Sequence, residues 1–211
     1  MSSAAQPFRL VLASASPRRR ELLTQAGCVF TVEAADVDES PRAGESPAAY
    51  VVRLAEEKAQ AVFEKHISGG PFIERSEMSG KEPLVVLGAD TTVVLDGEIL
   101  SKPADGTEAK RMLRRLSGRT HQVLTGIAVA TRAGISSAVE STNVTFAEIP
   151  DAELDAYCAT SEPLDKAGAY GIQGYAARWI PRVDGCYFNV MGLPIAQTVA
   201  LLSDATARLA R

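Results

Sequence analysis

The stretch LVVLGADTTVVLDGEILSKP, Leu84 to Pro103, sets the reading of the whole chain. Two apolar, β-branched runs, Leu84–Leu87 and Thr92–Leu95, stand on either side of Gly88-Ala89-Asp90. Runs of that kind read as buried strand. A carboxylate placed between them is costly unless it is paired, hydrogen-bonded or bound to a metal. Gly88 permits a bend or a close approach of the backbone to something else. Asp96-Gly97 predicts a tight hairpin turn, with Glu98–Leu100 as the returning strand and Lys102 just past its end. One hairpin thus presents an acid and a base able to share a site. Taken alone, these residues leave open that Asp90 caps a turn and that Lys102 is a solvated loop lysine.

Toward the N-terminus, Phe8–Ala13 reads as a short strand running into Ser14-Ala15-Ser16-Pro17 and then RRRELLTQAG. Ser16 suits an N-cap, Pro17 the first helical position and Gly27 the stop. Arg18, Arg19 and Arg20 in the first turn oppose the helix dipole. Beside the hydroxyls of Ser14 and Ser16 they make sense where an anion docks, since N–H groups, hydroxyls and guanidinium groups would converge on it. The alternative is that they point to solvent, as Arg20 is expected to do. A second strand is expected over Cys28–Val37, followed by the acidic Asp36-Val37-Asp38-Glu39 and a Ser/Pro/Gly-rich loop. Ser46-Pro47 opens a helix to about His66 with the apolar stripe Val51, Leu54, Ala55, Ala61 and Val62. Lys58 falls within that stripe, so it either snorkels out or meets a buried anion. Arg53, Glu56, Glu57 and Lys65 read as the wet face. Ile67 to Pro83, rich in Gly, Ser and charge, reads as a long mobile surface loop.

Toward the C-terminus, a helix is expected over Asp105–Leu116, stopped by Ser117-Gly118. Thr120–Thr131 and Ser136–Ala147 alternate as long antiparallel strands. His121 reads as structural, and His66 as a helix-end cation. Pro150 and Asp151 open a further helix to about Ala159. Glu162–Gly174, EPLDKAGAYGIQG, has glycines that allow close backbone approach to a ligand, and Gln173 can donate and accept at once, as a base edge requires. Trp179 to Val190 reads as a second hairpin turning at Asp184-Gly185. A closing amphipathic helix carries Ile195, Val199, Leu202 and Leu209.

The chain has 211 residues, 46% hydrophobic and 23% charged, the composition of an ordinary globular protein with enough apolar residues for a core. One domain spanning 1–211 is expected, with its core at about 8–203. A net charge of -4 and a pI near 5.3 argue against nonspecific nucleic-acid binding. Cys28, Cys158 and Cys186 show neither CxxC nor Cys/His spacing, so no disulfide framework or zinc site is indicated and a reducing compartment fits. No signal-peptide pattern and no membrane-span length are read in the sequence, so no membrane partner is expected.

The basic helix start, the inward lysine, the strand-end acid, the second lysine and the glycine-rich loop with its Gln add up to a phosphorylated ligand, a nucleotide, with a divalent cation. Glu39 and Asp90 are hard oxygen ligands that suit magnesium, which commonly takes one or two carboxylates plus substrate phosphates. Neither GxxxxGK[ST] nor a strand-linked GxGxxG is present.

LASASPRRRELL, LGADTTVVLDGEILSKP, LRRLSGRTHQVLTGIAV, EPLDKAGAYGIQG and VMGLP, in that order from about Leu10 to Leu202, resemble the Maf family. The resemblance implies a nucleoside triphosphate pyrophosphatase with an α/β fold related to the inosine triphosphatase architecture, a mixed, elongated sheet forming two lobes around a cleft. It also implies a magnesium-type cofactor (manganese as the substitute), a cytoplasmic location, a homodimer, and an association with inhibition of septum formation. By position, Asp90 matches the family's catalytic acid. Arg18, Thr91 and Gln173 match positions linked to base selectivity, and Ser14, Arg19, Glu39, Lys58 and Lys102 match the other polar cleft positions. Arg18, Thr91 and DKAGAYGIQG look like the subgroup acting on dTTP and UTP and not the one preferring 7-methyl-GTP. The Ile67–Pro83 loop is longer than in compact members. The rival reading is a non-catalytic nucleotide-binding regulator of cell division.

Overall fold

The computed structural model describes residues 6–68 and 82–209. The expected mobile loop Ile67–Pro83 falls largely at 69–81, outside the described residues. In chain order the elements are β1 (Arg9–Leu12), α1 (Pro17–Gln25), β2 (Phe30–Val32), α2 (Pro47–Ile67), β3 (Leu84–Leu95) and β4 (Glu98–Leu100). Next come α3 (Gly106–Leu116), β5 (Thr120–Thr131), β6 (Gly134–Thr145) and α4 (Asp151–Cys158). Three short 3₁₀ turns (Glu162–Asp165, Ala167–Ala169, Tyr175–Trp179) lead to β7 (Arg182–Asp184), α5 (Tyr187–Val190) and α6 (Ile195–Leu209).

The helices start where their caps predict. Ser16 Oγ accepts from Arg19 N at 3.4 Å, Ser46 Oγ from Ala49 N at 3.2 Å, and Asp105 Oδ1 from Glu108 N at 2.8 Å. Each serine is followed by Pro at the first helical position. The β3–β4 hairpin turns at Asp96 (φ 54°) and Gly97 (φ 81°), the paired left-handed backbone of a two-residue turn.

Among the described residues the sheet has seven strands, ordered β2-β1-β3-β5-β6-β7, with β4 also on β3. It is mixed: β1 runs parallel to β2 and β3, and the remaining pairings are antiparallel. Along one edge β3 pairs with β5 from Val86 to Val94. Along the other it pairs with β1 over Leu84–Leu87 and with β4 over Val93–Leu95. Among the described residues, 88–92 have no strand neighbour on that edge. The sheet therefore carries a gap between two lobes, and this gap is the cleft.

One face of the sheet is covered by α2. Its approach requires Gly88 and Gly126: a Cβ on Gly88 would lie 2.1 Å from Ala55 O, and one on Gly126 2.2 Å from Val51 O. The other face is covered in two portions. Leu22 and Leu23 of α1 and Leu202 and Ala205 of α6 pack on Val85, Leu87 and Ile127 on one side of the gap. Met112, Leu113 and Leu116 of α3, with Leu154, Tyr170 and Trp179, pack on Val93, Leu95 and Val123 on the other.

Several sequence expectations need correction. β3 is one continuous strand and not two runs with a break, because β5 pairs straight through Gly88-Ala89-Asp90. The second strand covers only Phe30–Val32, since its sole neighbour among the described residues, β1, ends at Leu12. Trp179 to Val190 does not form a hairpin. β7 pairs with β6 instead, and the chain then winds into α5. Val199 is 44% exposed, because α6 buries the Thr198, Leu202 and Ala205 face. Arg53 is not on the wet face. Its side chain is 12% exposed and binds Glu45 Oε1 at 2.6 Å.

Candidate active site

A cleft of about 870 Å³ opens at the gap. Period-two alternation along β3 sends Asp90 toward α2 and Thr91 toward the opposite face, and because the strand edge is open here both reach the cleft. All of the candidate residues read from the sequence line it: Ser14, Arg18, Arg19, Glu39, Lys58, Asp90, Thr91, Lys102 and Gln173.

At the centre is Lys58, on the inward face of α2 and only 8% exposed. Of the two possibilities the sequence left open, the structure has it meeting a buried anion. Its Nζ lies 2.6 Å from Asp90 Oδ1 and 2.6 Å from Glu39 Oε1. Asp90 is 8% exposed, whereas the Glu39 side chain is 55% exposed. Partial burial pushes the Glu39 carboxyl up, but the hydrogen bond and charge of Lys58, with Lys102 and Arg19 nearby, outweigh it and hold the group below the usual carboxylate value. Two residues hold the Glu39 segment in place, Tyr50, which the sequence reading did not single out, and Arg53, which it assigned to the wet face. Tyr50 donates its hydroxyl to Glu39 O at 2.9 Å, and Arg53 Nη2 donates to Ser40 O at 3.1 Å. Burial, with the charges of Asp90 and Glu39, pushes the Tyr50 phenol up to about 12, so it remains a donor at neutral pH.

The two arginines at the start of α1 differ in environment. The guanidinium of Arg19 is enclosed. Nε donates to Gly192 O at 2.8 Å, Nη1 to Ser14 Oγ at 3.1 Å and Ala89 O at 2.9 Å, and Nη2 to Thr91 Oγ1 at 3.0 Å. These bonds use all but one of a guanidinium's N–H donors. Ala89 O belongs to the open edge of β3, so Arg19 satisfies a carbonyl that a strand would otherwise pair. Burial lowers the Arg19 pKa, while the charge of Asp90 opposes that shift. Arg18 is more open, its side chain 34% exposed, and reaches Asp165 across the cleft at 3.5 Å. Arg20 is exposed, as expected.

On the far side, Lys166 Nζ donates to Glu162 O and to Asp165 Oδ1, each at 2.6 Å. The glycines keep this wall thin: a Cβ on Gly174 would sit 1.8 Å from Glu162 Oε1. Gln173 and Lys102 are exposed at the rim. Tyr170 lies beneath, its hydroxyl 2.7 Å from His121 Nε2. Tyr50, Thr125 and Asn189 carried no sequence signal, because only the fold brings them to the cleft wall or behind it.

The arrangement is an α/β protein whose sheet parts around a cleft lined by cations, with two carboxylates held on a lysine. Comparison with known proteins makes this more specific. The family described as Maf-like protein matches residues 9–205, and the chain belongs to that family. It is similar to a protein of Hahella chejuensis (strain KCTC 2396) named dTTP/UTP pyrophosphatase, 48% identical over 196 residues, covering 93% of this chain and 92% of that one. Proteins of the same name from Myxococcus xanthus (strain DK1622) and Shewanella oneidensis are also similar. The first is 51% identical over 93% of this chain and 92% of its own. The second is 50% identical over 94% and 98%.

Proposed function

We propose that this chain hydrolyses nucleoside triphosphates to nucleoside monophosphate and pyrophosphate, with dTTP and UTP as preferred substrates. The observation that carries the reading is the Asp90–Lys58–Glu39 centre facing the anchored guanidinium of Arg19 across one cleft. It puts carboxylate and cation on the two sides of the space a triphosphate would occupy. The names of relatives about half identical over nearly the whole chain support the same reaction and the same bases.

In this reading Asp90 orients a water and takes its proton as the water attacks the α-phosphorus. Lys58, Arg18, Arg19 and Lys102 stabilise the negative charge that builds on the phosphoryl oxygens, and pyrophosphate leaves. Ser14 contributes its hydroxyl to the phosphates. Arg18, Thr91 and Gln173 line the cleft and are assigned the preference for thymine and uracil.

A divalent cation fits the donor set. The two carboxylates already converge on one cationic point, the Lys58 ammonium. Magnesium commonly takes one or two carboxylates plus substrate phosphates. Asp90 and Glu39 would hold it, and when bound it supplies positive charge to the phosphate oxygens. The family resemblance further supports a homodimer in the cytoplasm. No helix among the described residues is long and apolar enough to cross a membrane.

The test is pyrophosphate release from dTTP, UTP, CTP, ITP and 7-methyl-GTP, with magnesium and with chelator, alongside Asp90→Asn. The expected outcome is metal-dependent release strongest on dTTP and UTP, reduced about 10²–10⁴-fold in the variant. Strongest activity on another base would overturn the assigned roles of Arg18, Thr91 and Gln173 and leave the reaction standing. Binding without release would favour a nucleotide-binding regulator of division.

A further inference from the structure

Behind the cleft wall a chain of polar groups runs from Arg19 into the core. Arg19 Nη2 donates to Thr91 Oγ1 at 3.0 Å, and Thr91 Oγ1 lies 2.9 Å from Thr125 Oγ1. Thr125 Oγ1 donates to Asn189 O at 3.1 Å. Thr91 Oγ1 also lies 3.4 Å from Gly192 O, and either hydroxyl can donate in the bond between the threonines. In either case a lone pair of Thr91 Oγ1 accepts from Arg19. The contacts run from guanidinium to hydroxyl to hydroxyl to carbonyl.

The far end is tied down as firmly. The Asn189 side-chain amide donates to Val123 O on β5 and to Thr142 Oγ1 on β6, each at 2.9 Å. Asn189 opens the turn that carries Gly192, whose carbonyl accepts Arg19 Nε at 2.8 Å. The chain therefore closes on itself, and Arg19 is gripped at Nη2 through Thr91 and at Nε through Gly192, with both grips referred to Asn189. Thr125, Thr142 and Asn189 are each 0% exposed, and Asn189 Oδ1 has no partner among the described residues. Burying hydroxyl and amide groups this deeply is costly unless they are hydrogen-bonded, so these groups hold one another in fixed orientations.

We infer that Thr125 and Asn189 are positioning residues for the reaction, fixing the orientation of the Arg19 guanidinium so that its remaining N–H points at the triphosphate. This rests on the proposed hydrolysis of nucleoside triphosphates. Neither residue touches the substrate, and both act through Thr91, Gly192 and Arg19.

The experiment is steady-state pyrophosphate release from dTTP with magnesium, measured for the wild-type chain, Thr125→Val, Thr125→Ser, Thr91→Val and the double variant Thr91→Val/Thr125→Val. Removing one buried hydroxyl from the chain is expected to lower kcat about tenfold with KM changed less than about threefold, and the serine variant to restore kcat to within about threefold of wild type. The double variant is expected to be no slower than Thr91→Val alone, because both substitutions cut the same chain. A Thr125→Val enzyme with wild-type kcat, a serine variant equally impaired, or additive losses in the double variant would each overturn the inference. Where Thr125→Val does not fold, Thr125→Ala against Thr125→Ser isolates the same hydroxyl at equal loss of the methyl group, and equal kcat for that pair overturns it. A wild-type chain that releases no pyrophosphate would sink the hydrolysis itself, a result distinct from an active wild type indifferent to Thr125.

Discussion

Lys58 shows how one residue can hold a site together and still be ready for substrate. A buried ammonium is expensive unless paired, and here it has two carboxylates, one buried and one half-exposed. Removing either acid leaves it a partner, and removing both leaves an uncompensated charge in the interior. Asp90→Asn should therefore unfold cooperatively with a modest loss, whereas Asp90→Asn/Glu39→Gln should lose on the order of 3–5 kcal/mol. Urea denaturation of both variants checks this, and equal midpoints would show that Glu39 does not support Lys58. His121 makes a separate prediction from a different part of the molecule. It is 2% exposed and packed edge-on to Phe146 and Tyr170. Burial lowers its pKa from 6.5 to about 4. The folded state thus resists protonation that the unfolded state accepts, so the contribution is complete above the unfolded value and is lost as pH falls from about 6.5 toward 4. The loss should be about 3 kcal/mol. In His121→Gln, which cannot titrate and can still pair with Tyr170, that part of the acid slope should disappear. An unchanged slope between pH 7 and pH 4 would count against the buried neutral imidazole.

At the scale of elements, the site depends on how closely α2 lies on the sheet. Gly88 and Gly126 sit on the face that carries Asp90, and Asp90 pairs with Gly126 across β3 and β5. The absence of two Cβ atoms lets the helix backbone reach the strands and brings Lys58 onto Asp90. Gly88→Ala or Gly126→Ala must push α2 outward, at a cost at or above the upper end of about 1–3 kcal/mol. Turnover should fall in the same variants even when measured well below their melting temperature, because the displaced helix carries Lys58. A Gly88→Ala protein with wild-type kcat would show that the spacing of α2 does not set the site. Much of this was legible beforehand. The N-caps at Ser16, Ser46 and Asp105, the Asp96-Gly97 turn and the inward Lys58 are local signals, and local signals survive folding. What was not legible depends on partners distant in sequence. The Gly88-Ala89-Asp90 interruption looked like a strand break, and it marks instead where the neighbours on one edge stop while the strand continues. β2 is short because β1 is short, and no local pattern in Cys28–Val37 records that. Arg53 sits at a surface-like position on α2 and is buried only because the Glu45 loop folds over it. Tyr50, Thr125 and Asn189 were silent because a buried hydroxyl or amide in an apolar run looks the same whether it serves packing or a site.

At the scale of the whole molecule, an acidic chain of net charge -4 gathers Arg18, Arg19, Lys58, Lys102 and Lys166 around one gap in its sheet. The cations come from both lobes. Arg18 and Arg19 ride on α1, Lys102 follows β4, and Lys166 belongs to the glycine-rich wall. Among the described residues, Arg18 and Asp165 make an ion pair across the gap at 3.5 Å. A pair so exposed ties the lobes together only weakly. A triphosphate would replace it with stronger, charge-assisted bonds to both sides. Binding should then couple the lobes, which can be read by amide hydrogen exchange with a dTTP analogue whose α–β bridge is a methylene group. With magnesium present, exchange should slow in the Ser14–Arg20 segment and in the Glu162–Gly174 segment together, and chelator should relax both. Inorganic pyrophosphate, which has no base to reach Gln173, should slow the first segment and leave the second near its free rate. Protection confined to one lobe with the full analogue would mean that the ligand sits on that lobe alone. The gap in the sheet would then be a consequence of strand lengths and not the place where substrate is held.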